Sequence, residues 1–180
     1  MLIWMLSALF LLFILLSTFY SDLKGAPFVP NNISVIQNSL TLAKLDHNDI
    51  FMDLGSGNGK ALFYALKTFN VKKAIGYEIS PWPYLLSVVK TKKLPVKIKH
   101  KIQIYRRSIF DANLQEPTVV YLYLFPKLLE KLSPMLIKAK KNNPKLRIVS
   151  AVFSIKGMKP VKNIFAYHNQ FKKKVKIFLY

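Results

Sequence analysis

Apolar positions change period several times along this chain, and each change marks an element. Residues 1–20 are apolar almost throughout and contain no Asp, Glu, Lys or Arg. As a helix they would measure about 30 Å, one hydrocarbon core. Between Ile33 and Leu45, residues Ile33, Ile36, Leu40 and Leu45 fall roughly on one helical face, and Asn31 or Asn32 is placed to cap it. Asp46-His47-Asn48-Asp49 reads as a turn and Ile50–Leu54 as a short buried strand. A glycine loop follows, then a helix to about Phe69 that Asn70 can end. Ala74–Glu78 predicts a second strand, and Pro81 and Pro83 suit the first turn of a helix reaching Lys92. Lys101–Arg106 alternates basic and apolar residues, as a strand nearer a sheet edge does. Thr118–Leu124 is a fourth strand, 127–140 a helix that Pro134 bends or breaks, and Leu146–Phe153 a fifth strand. Val161–His168 and Lys174–Tyr180 complete the chain as an antiparallel hairpin turning at Asn169-Gln170.

Strand and helix alternate, then two strands close the series. That order predicts an α/β fold in three layers: a Rossmann-like, mostly parallel sheet with a C-terminal antiparallel hairpin, preceded by one transmembrane helix. The expected organisation is an anchor over 1–20, a juxtamembrane linker and leading helix over 21–45, and one catalytic domain over 46–180. A cleaved signal peptide competes for the first segment. It would want a basic start and a shorter apolar core, and no Lys or Arg precedes this run.

The 28 basic and 8 acidic residues all follow residue 20, so the domain carries the whole net charge of +20. Basic residues just beyond the anchor predict a single-pass membrane protein with its domain on the cytoplasmic side, an organelle membrane being compatible too. Such a charge suits an anionic lipid surface, and it also suits nonspecific contact with nucleic acid. The absence of cysteine excludes disulfides, a thiolate nucleophile and cysteine-ligated metals. His47, His100 and His168 show no metal-ligand spacing and read as surface or loop residues, so no metal is expected.

The densest chemistry is Asp53-Leu54-Gly55-Ser56-Gly57-Asn58-Gly59-Lys60, a glycine loop between strand and helix. The spacing G-x-G-x-G fits neither the dinucleotide loop G-x-G-x-x-G nor the phosphate loop G-x-x-x-x-G-K-[ST]. A plain glycine-rich turn would also produce it. It resembles motif I of class I S-adenosylmethionine (AdoMet) methyltransferases. Three of the eight acids, Asp53, Glu78 and Asp111, fall at or near the carboxyl ends of predicted parallel strands, where open α/β sheets bind ligands. Glu78, nineteen residues past Gly59, is placed to accept hydrogen bonds from both ribose hydroxyls. Asp111 would accept from an adenine amino group, and Asp53 would orient the loop and meet the cofactor's α-amino group.

Pro27-Phe28-Val29-Pro30, the glycine loop, Gly76-Tyr77-Glu78-Ile79-Ser80-Pro81-Trp82, Asp111 and Val119–Pro126 together resemble the small membrane-anchored protein-lysine N-methyltransferases over roughly 27–155. Mitochondrial members of that family modify lysines of the ATP synthase c-subunit and the adenine nucleotide translocase. The Dot1-like histone methyltransferases are more distantly similar. The resemblance implies AdoMet as cofactor, held by Asp53, Gly55, Ser56, Gly57, Gly59, Glu78, Ile79, Asp111 and Ala112. It implies a protein substrate with an accessible, membrane-associated lysine, entering beside Tyr121–Pro126. Tyr121, Phe125 and Trp82 would line the channel, with Tyr123 nearest the chemistry, although each aromatic also suits a core. The chain lacks the Asn/Asp-Pro-Pro-Tyr/Phe motif of amino-methylating nucleic-acid enzymes and the side-chain amide that Dot1-like enzymes carry after this strand. No dedicated general base stands out. A methyltransferase acting on RNA or a small molecule and a non-catalytic basic membrane module are the competing readings. A nicotinamide-dependent oxidoreductase ranks below them.

Overall fold

The computed structural model describes the chain apart from residues 24–28, 30, 170 and 171, and the side chains of residues 18 and 21–23. Most of the expected linker, including Pro27, Phe28 and Pro30, lies outside the described residues, as does Gln170 of the hairpin turn.

Seven strands form one sheet in the order β3-β2-β1-β4-β5-β7-β6: β1 (Ile50–Leu54), β2 (Lys73–Tyr77), β3 (Ile102–Tyr105), β4 (Val119–Leu122), β5 (Arg147–Ala151), β6 (Lys162–His168) and β7 (Lys173–Leu179). The first five pair in parallel, and β7 runs antiparallel to both β5 and β6. Central strands are buried on both faces, which is why they read as short continuous apolar runs without alternation. Side chains alternate between two cores. Phe51, Ala74, Val119 and Tyr121 face one core with Val35, Ile36 and Leu40 of α2 (Ile33–Leu42), and with Ala61 and Leu62 of α3 (Lys60–Tyr64). Met52, Ile75, Val120 and Leu122 face the other with Leu129, Leu132 and Leu136 of α6 (Pro126–Asn142). The expected three-layer sheet and closing hairpin are present.

α3 continues as a π-turn over Ala65–Phe69, which ends at Asn70 with φ +52°, a left-handed stop that asparagine tolerates. α4 (Pro81–Lys92) begins on its two prolines, as anticipated. A one-turn helix α5 (Val96–Lys99) and a 3₁₀ turn over Ile109–Asp111 have no counterpart in the apolar pattern, being too short to show a period. α6 passes through Pro134 unbroken. Pro134 is exposed, so the carbonyl it leaves without an amide partner faces water.

Where a transmembrane helix was expected over residues 1–20 there is a helix, α1 (Leu2–Leu23), but no helix of the described residues is long and apolar enough to cross a membrane. α1 also docks on the domain. Ser17 is buried and its hydroxyl accepts the Trp82 amide at 2.9 Å, and Phe10 and Phe13 meet the Trp82 ring edge-on at 5.3 and 6.4 Å.

α2 is shorter than the expected 33–45 and is held at both ends. Asn32 caps it by accepting the Ser34 amide at 2.8 Å. At the far end Arg147 donates to the carbonyls of Ala43 and Lys44 at 2.8 and 2.9 Å and pairs with buried Asp49. Asp49 also accepts the Thr118 hydroxyl at 2.7 Å. This network fastens α2 to the amino ends of β1, β4 and β5.

Candidate active site

β1 is the topological switch: β2 lies on one side and β4 on the other, so connections leave in opposite directions and a crevice opens at their carboxyl ends. Asp53 sits opposite Gly76 of β2 and Tyr121 of β4. The glycine loop leaves β1 there. The amides of Gly55 and Ser56 both donate to the Tyr77 carbonyl at 2.9 Å, which folds the loop over the end of β2. Gly55 adopts φ +85°, and a Cβ there would stand 2.9 Å from a Leu124 methyl. A side chain is therefore disfavoured chiefly by backbone conformation, since the Leu124 methyl can swing aside.

Glu78 locks the loop. One carboxylate oxygen accepts the Gly57 amide at 2.8 Å and the other the Ser80 amide at 2.7 Å. A carboxylate offers about four acceptor sites, so two remain, one on each oxygen. That is the requirement for gripping a pair of vicinal hydroxyls. Asp53 is buried, and burial first, then the nearby Glu78 charge, push its carboxyl up to about 8. Such a group stays largely protonated at neutral pH until a cation joins it.

An open hollow of about 400 Å³, part of it solvent, lies against this loop. Asp53, Gly55, Ser56 and Gly57 line one side, and Asn31, Tyr121 and Tyr123 line another. The Ser56 hydroxyl and the Asn31 side-chain carbonyl are buried with no hydrogen-bond partner. Burial raises the hydroxyls of Tyr121 and Tyr123 above the ordinary tyrosine value, so both remain protonated. Tyr123 Oη lies 3.2 Å from Nε2 of His168, with the two rings stacked.

Several expectations need correcting. His168 is no surface residue: it is fully buried at the end of β6, beside Tyr123. Trp82 lines no part of the hollow, because the first turn of α4 points its ring at Phe10 and Phe13 of α1. Phe125 is also outside the lining and half exposed ahead of α6, leaving Tyr121 and Tyr123 as the aromatic wall. Asp53 and Glu78 converge on one loop, but Asp111 is exposed on the 3₁₀ turn after β3, outside the lining, with Ala112 buried beside it. Gly59 turns the chain into α3 with φ +77°, and Ile79 is half-buried next to Glu78. Asn31, Asn58 and Lys60 were missed as wall residues. Lys60 ends the glycine motif and Asn31 directly follows Pro27–Pro30, so adjacency to those motifs was their only signal.

The residues present fit AdoMet. Glycines and acidic groups meet at one crevice: Glu78 keeps two acceptor sites free beside the loop, buried Asp53 lines the hollow, and Ser56 carries a buried hydroxyl without a partner. Comparison with known proteins agrees. Residues 53–162 match the model of the ANTKMT methyltransferase domain. The chain is 36% identical over 140 residues to a protein-lysine N-methyltransferase of Saccharolobus islandicus, covering 78% of this chain and 84% of that protein. Its fold superposes on an RNA methyltransferase from Salinibacter ruber in complex with S-adenosyl-L-homocysteine, with TM-score 0.69, 26% identity, and coverage of 84% of this chain and 93% of the other. A putative tRNA methyltransferase of Streptococcus pneumoniae in complex with S-adenosyl-L-methionine shares the fold at TM-score 0.56 and 15% identity, over 79% and 71% of the two chains.

Proposed function

Because this chain belongs to the ANTKMT methyltransferase domain family, and is an AdoMet-dependent methyltransferase, we propose that it methylates a lysine side chain of a membrane-associated protein. The 36% identity to a protein-lysine N-methyltransferase, spread over most of both chains, carries the lysine assignment. The hollow supports it. Two protonated tyrosines wall a partly desolvated site, which lowers the pKa of an entering amine and favours the neutral form that can react.

AdoMet supplies a methyl group on a cationic sulfur, open to in-line displacement. The chain's own residues bind and orient. In this reading Glu78 holds both ribose hydroxyls, Asp53 faces the α-ammonium, and Gly55, Ser56, Gly57 and Gly59 admit the ligand to the backbone. Asp111, Ile79 and Ala112, beyond the lined hollow, would meet the adenine. Tyr123 keeps the acceptor's approach dry, with its hydroxyl tethered by His168. Positioning of this kind supplies most of the rate when the leaving group is already activated.

Membrane association rests on α1. Its large apolar side chains, Leu2, Ile3, Trp4, Leu9 and Leu16 among them, stand exposed, and a surface of that kind calls for lipid or protein to cover it. The net charge of +20 favours an anionic leaflet, and the basic residues past α1 favour the cytoplasmic side. A lipid-held enzyme would meet membrane-borne lysines at high effective concentration.

The test is incubation of the full chain, in vesicles, with methyl-labelled AdoMet and membrane proteins, RNA or lipid. Label is expected in methyllysine after protein hydrolysis. The likeness to the Salinibacter RNA methyltransferase and the strong positive charge favour RNA as the second reading, and label in RNA alone would replace the first.

Asp53 makes a pH prediction. Protonated in the free protein and ionised beside the cofactor's ammonium, it should release up to one proton when AdoMet binds at pH 7. Affinity should then rise with pH up to about 8. A folded-state pKa raised this far also means that Asp53's contribution to stability, present below about pH 4, is lost as pH rises through about 8. Calorimetry in two buffers of different ionisation enthalpy reads the proton directly. Asp53→Asn should release none, and equal release from the variant would refute the assignment.

A further inference from the structure

Cofactor binding accounts for the loop side of the hollow and leaves the opposite side unexplained. We propose that Asn31 binds the acceptor amine, its side-chain carbonyl accepting an N–H of the target lysine and aiming the nitrogen lone pair at the methyl group. The proposal rests on the lysine methyltransferase reading and extends it to the acceptor's side.

Four observations converge on Asn31. Its neighbour Asn32 performs the helix cap, so the Asn31 side chain is free of that duty. Asn31 Nδ2 donates to the Tyr121 hydroxyl, which ties one end of the amide to β4. The other end, Oδ1, is buried without a partner, and Asn31 is one of the residues lining the hollow. The Asn31 backbone carbonyl accepts from Lys60 Nζ at 2.8 Å, so the residue is tied at both main chain and side chain. A buried carbonyl oxygen without a donor is costly and uncommon, and a ligand N–H resolves it.

A neutral acceptor suits the chemistry. A carboxylate in this place would hold lysine as the ammonium, which has no lone pair to react. An amide oxygen carries no net charge and so raises the amine's pKa far less than a carboxylate would. The Tyr123 hydroxyl, on the same wall, can accept the second N–H and leave the lone pair pointing away from both. In the transfer the lysine nitrogen gives its lone pair to the new N–C bond. The C–S bond breaks with its electrons left on sulfur, and the methylated nitrogen carries the positive charge until it loses a proton to water. The turn after β4, Leu124-Phe125-Pro126, has no side-chain amide to offer. The segment before α2 brings one in from ninety residues away.

The test uses the full chain saturated with S-adenosylhomocysteine, and n-butylamine as the lysine side-chain probe. In ¹⁵N-labelled protein, butylamine should shift the Asn31 side-chain amide resonance saturably. Asn31→Ala should weaken butylamine binding roughly tenfold or more, as loss of a buried hydrogen bond does, while S-adenosylhomocysteine affinity stays within threefold. Asn31→Asp should bind butylammonium more tightly yet transfer methyl more slowly, lowering KM and kcat together, and should move the rate profile to higher pH. Amine binding that survives Asn31→Ala overturns this inference alone. Loss of S-adenosylhomocysteine binding by more than tenfold in Asn31→Ala would place the residue on the cofactor's side and also overturn it. Wild-type protein that binds no amine and labels only RNA overturns the lysine reading, and this inference with it.

Discussion

Replacing Glu78 by alanine is expected to weaken AdoMet binding by at least about 100-fold and to lower kcat/KM by about 1,000-fold. Each charge-assisted hydrogen bond is worth roughly 1.5–3 kcal/mol, and Glu78 has two free acceptor sites with which to hold ribose hydroxyls. The variant loses more than those contacts. The amides of Gly57 and Ser80, now 2.8 and 2.7 Å from carboxylate oxygens, would be left without acceptors, so the loop would lose its preset shape. Glu78→Gln separates the two contributions. It keeps the volume but turns an amide NH2 toward a backbone N–H, so one of the two loop bonds must fail and an intermediate loss is expected. Calorimetric titration measures the affinity. Thermal unfolding gives a second reading, because the same ligand concentration should raise the melting temperature of the wild type far more than that of Glu78→Ala. AdoMet binding by Glu78→Ala within threefold of wild type would remove the cofactor assignment from this residue.

Gly76→Ala should destabilise the domain by about 2–3 kcal/mol, which is roughly 5–10 °C for a chain of this size, and cost AdoMet affinity about tenfold. Two effects oppose each other here. Exchanging a strand glycine for alanine ordinarily gains roughly 0.5–1 kcal/mol of backbone entropy. Against that, a Cβ on Gly76 would stand 2.5 Å from a Leu62 methyl, 2.7 Å from the Ser56 hydroxyl and 3.0 Å from Ser56 Cβ. The Leu62 methyl can swing aside, but Ser56 Cβ is fixed to the glycine loop, so the loop itself must move. Overpacking therefore outweighs the entropy gain, and its effect reaches the ligand. Denaturant unfolding gives the stability and calorimetry the affinity. An alanine variant as stable as wild type would mean the loop yields freely, contrary to its anchoring on Tyr77 and Glu78.

Gly76 also shows where sequence reading stops. The stretch Gly76-Tyr77-Glu78 was legible as a motif, and Glu78 as an acid at a strand end. That Gly76 forms the floor beneath Ser56 is a cross-strand fact: β2 lies against β1 with Gly76 opposite Asp53, and the register is set by the whole sheet. The strands were readable because burial on both faces demands short unbroken apolar runs, and the starts of α2 and α4 because asparagine and proline signal locally. The π-turn after α3 carries no such signal.

Trp82 and His168 were misplaced for a related reason. Trp82 lies in the Gly76–Trp82 stretch that carries part of the resemblance, yet its ring is claimed by α1, sixty-five residues earlier at the nearest hydrogen bond. His168 shows no pattern along the chain, because its partner Tyr123 is forty-five residues away on another strand. Asp111 was read correctly as following an edge strand, but whether it reaches the hollow depends on the path of the turn that carries it.

What the sequence by itself determined was mostly what short segments encode: the strand, glycine loop and helix, the acid closing β2, the asparagine-capped start of α2, the proline start of α4, and from their succession the layered α/β order. Local chemistry suffices there, because a positive φ, a missing amide hydrogen or a run of buried side chains restricts a short segment in few ways. Tertiary structure alone decided the opposite wall of the hollow, where Asn31 meets Tyr121 and Tyr123 meets His168. Those pairs form only when sheet register and the docking of α2 bring distant segments together, and no periodicity along one segment specifies what another will place across from it.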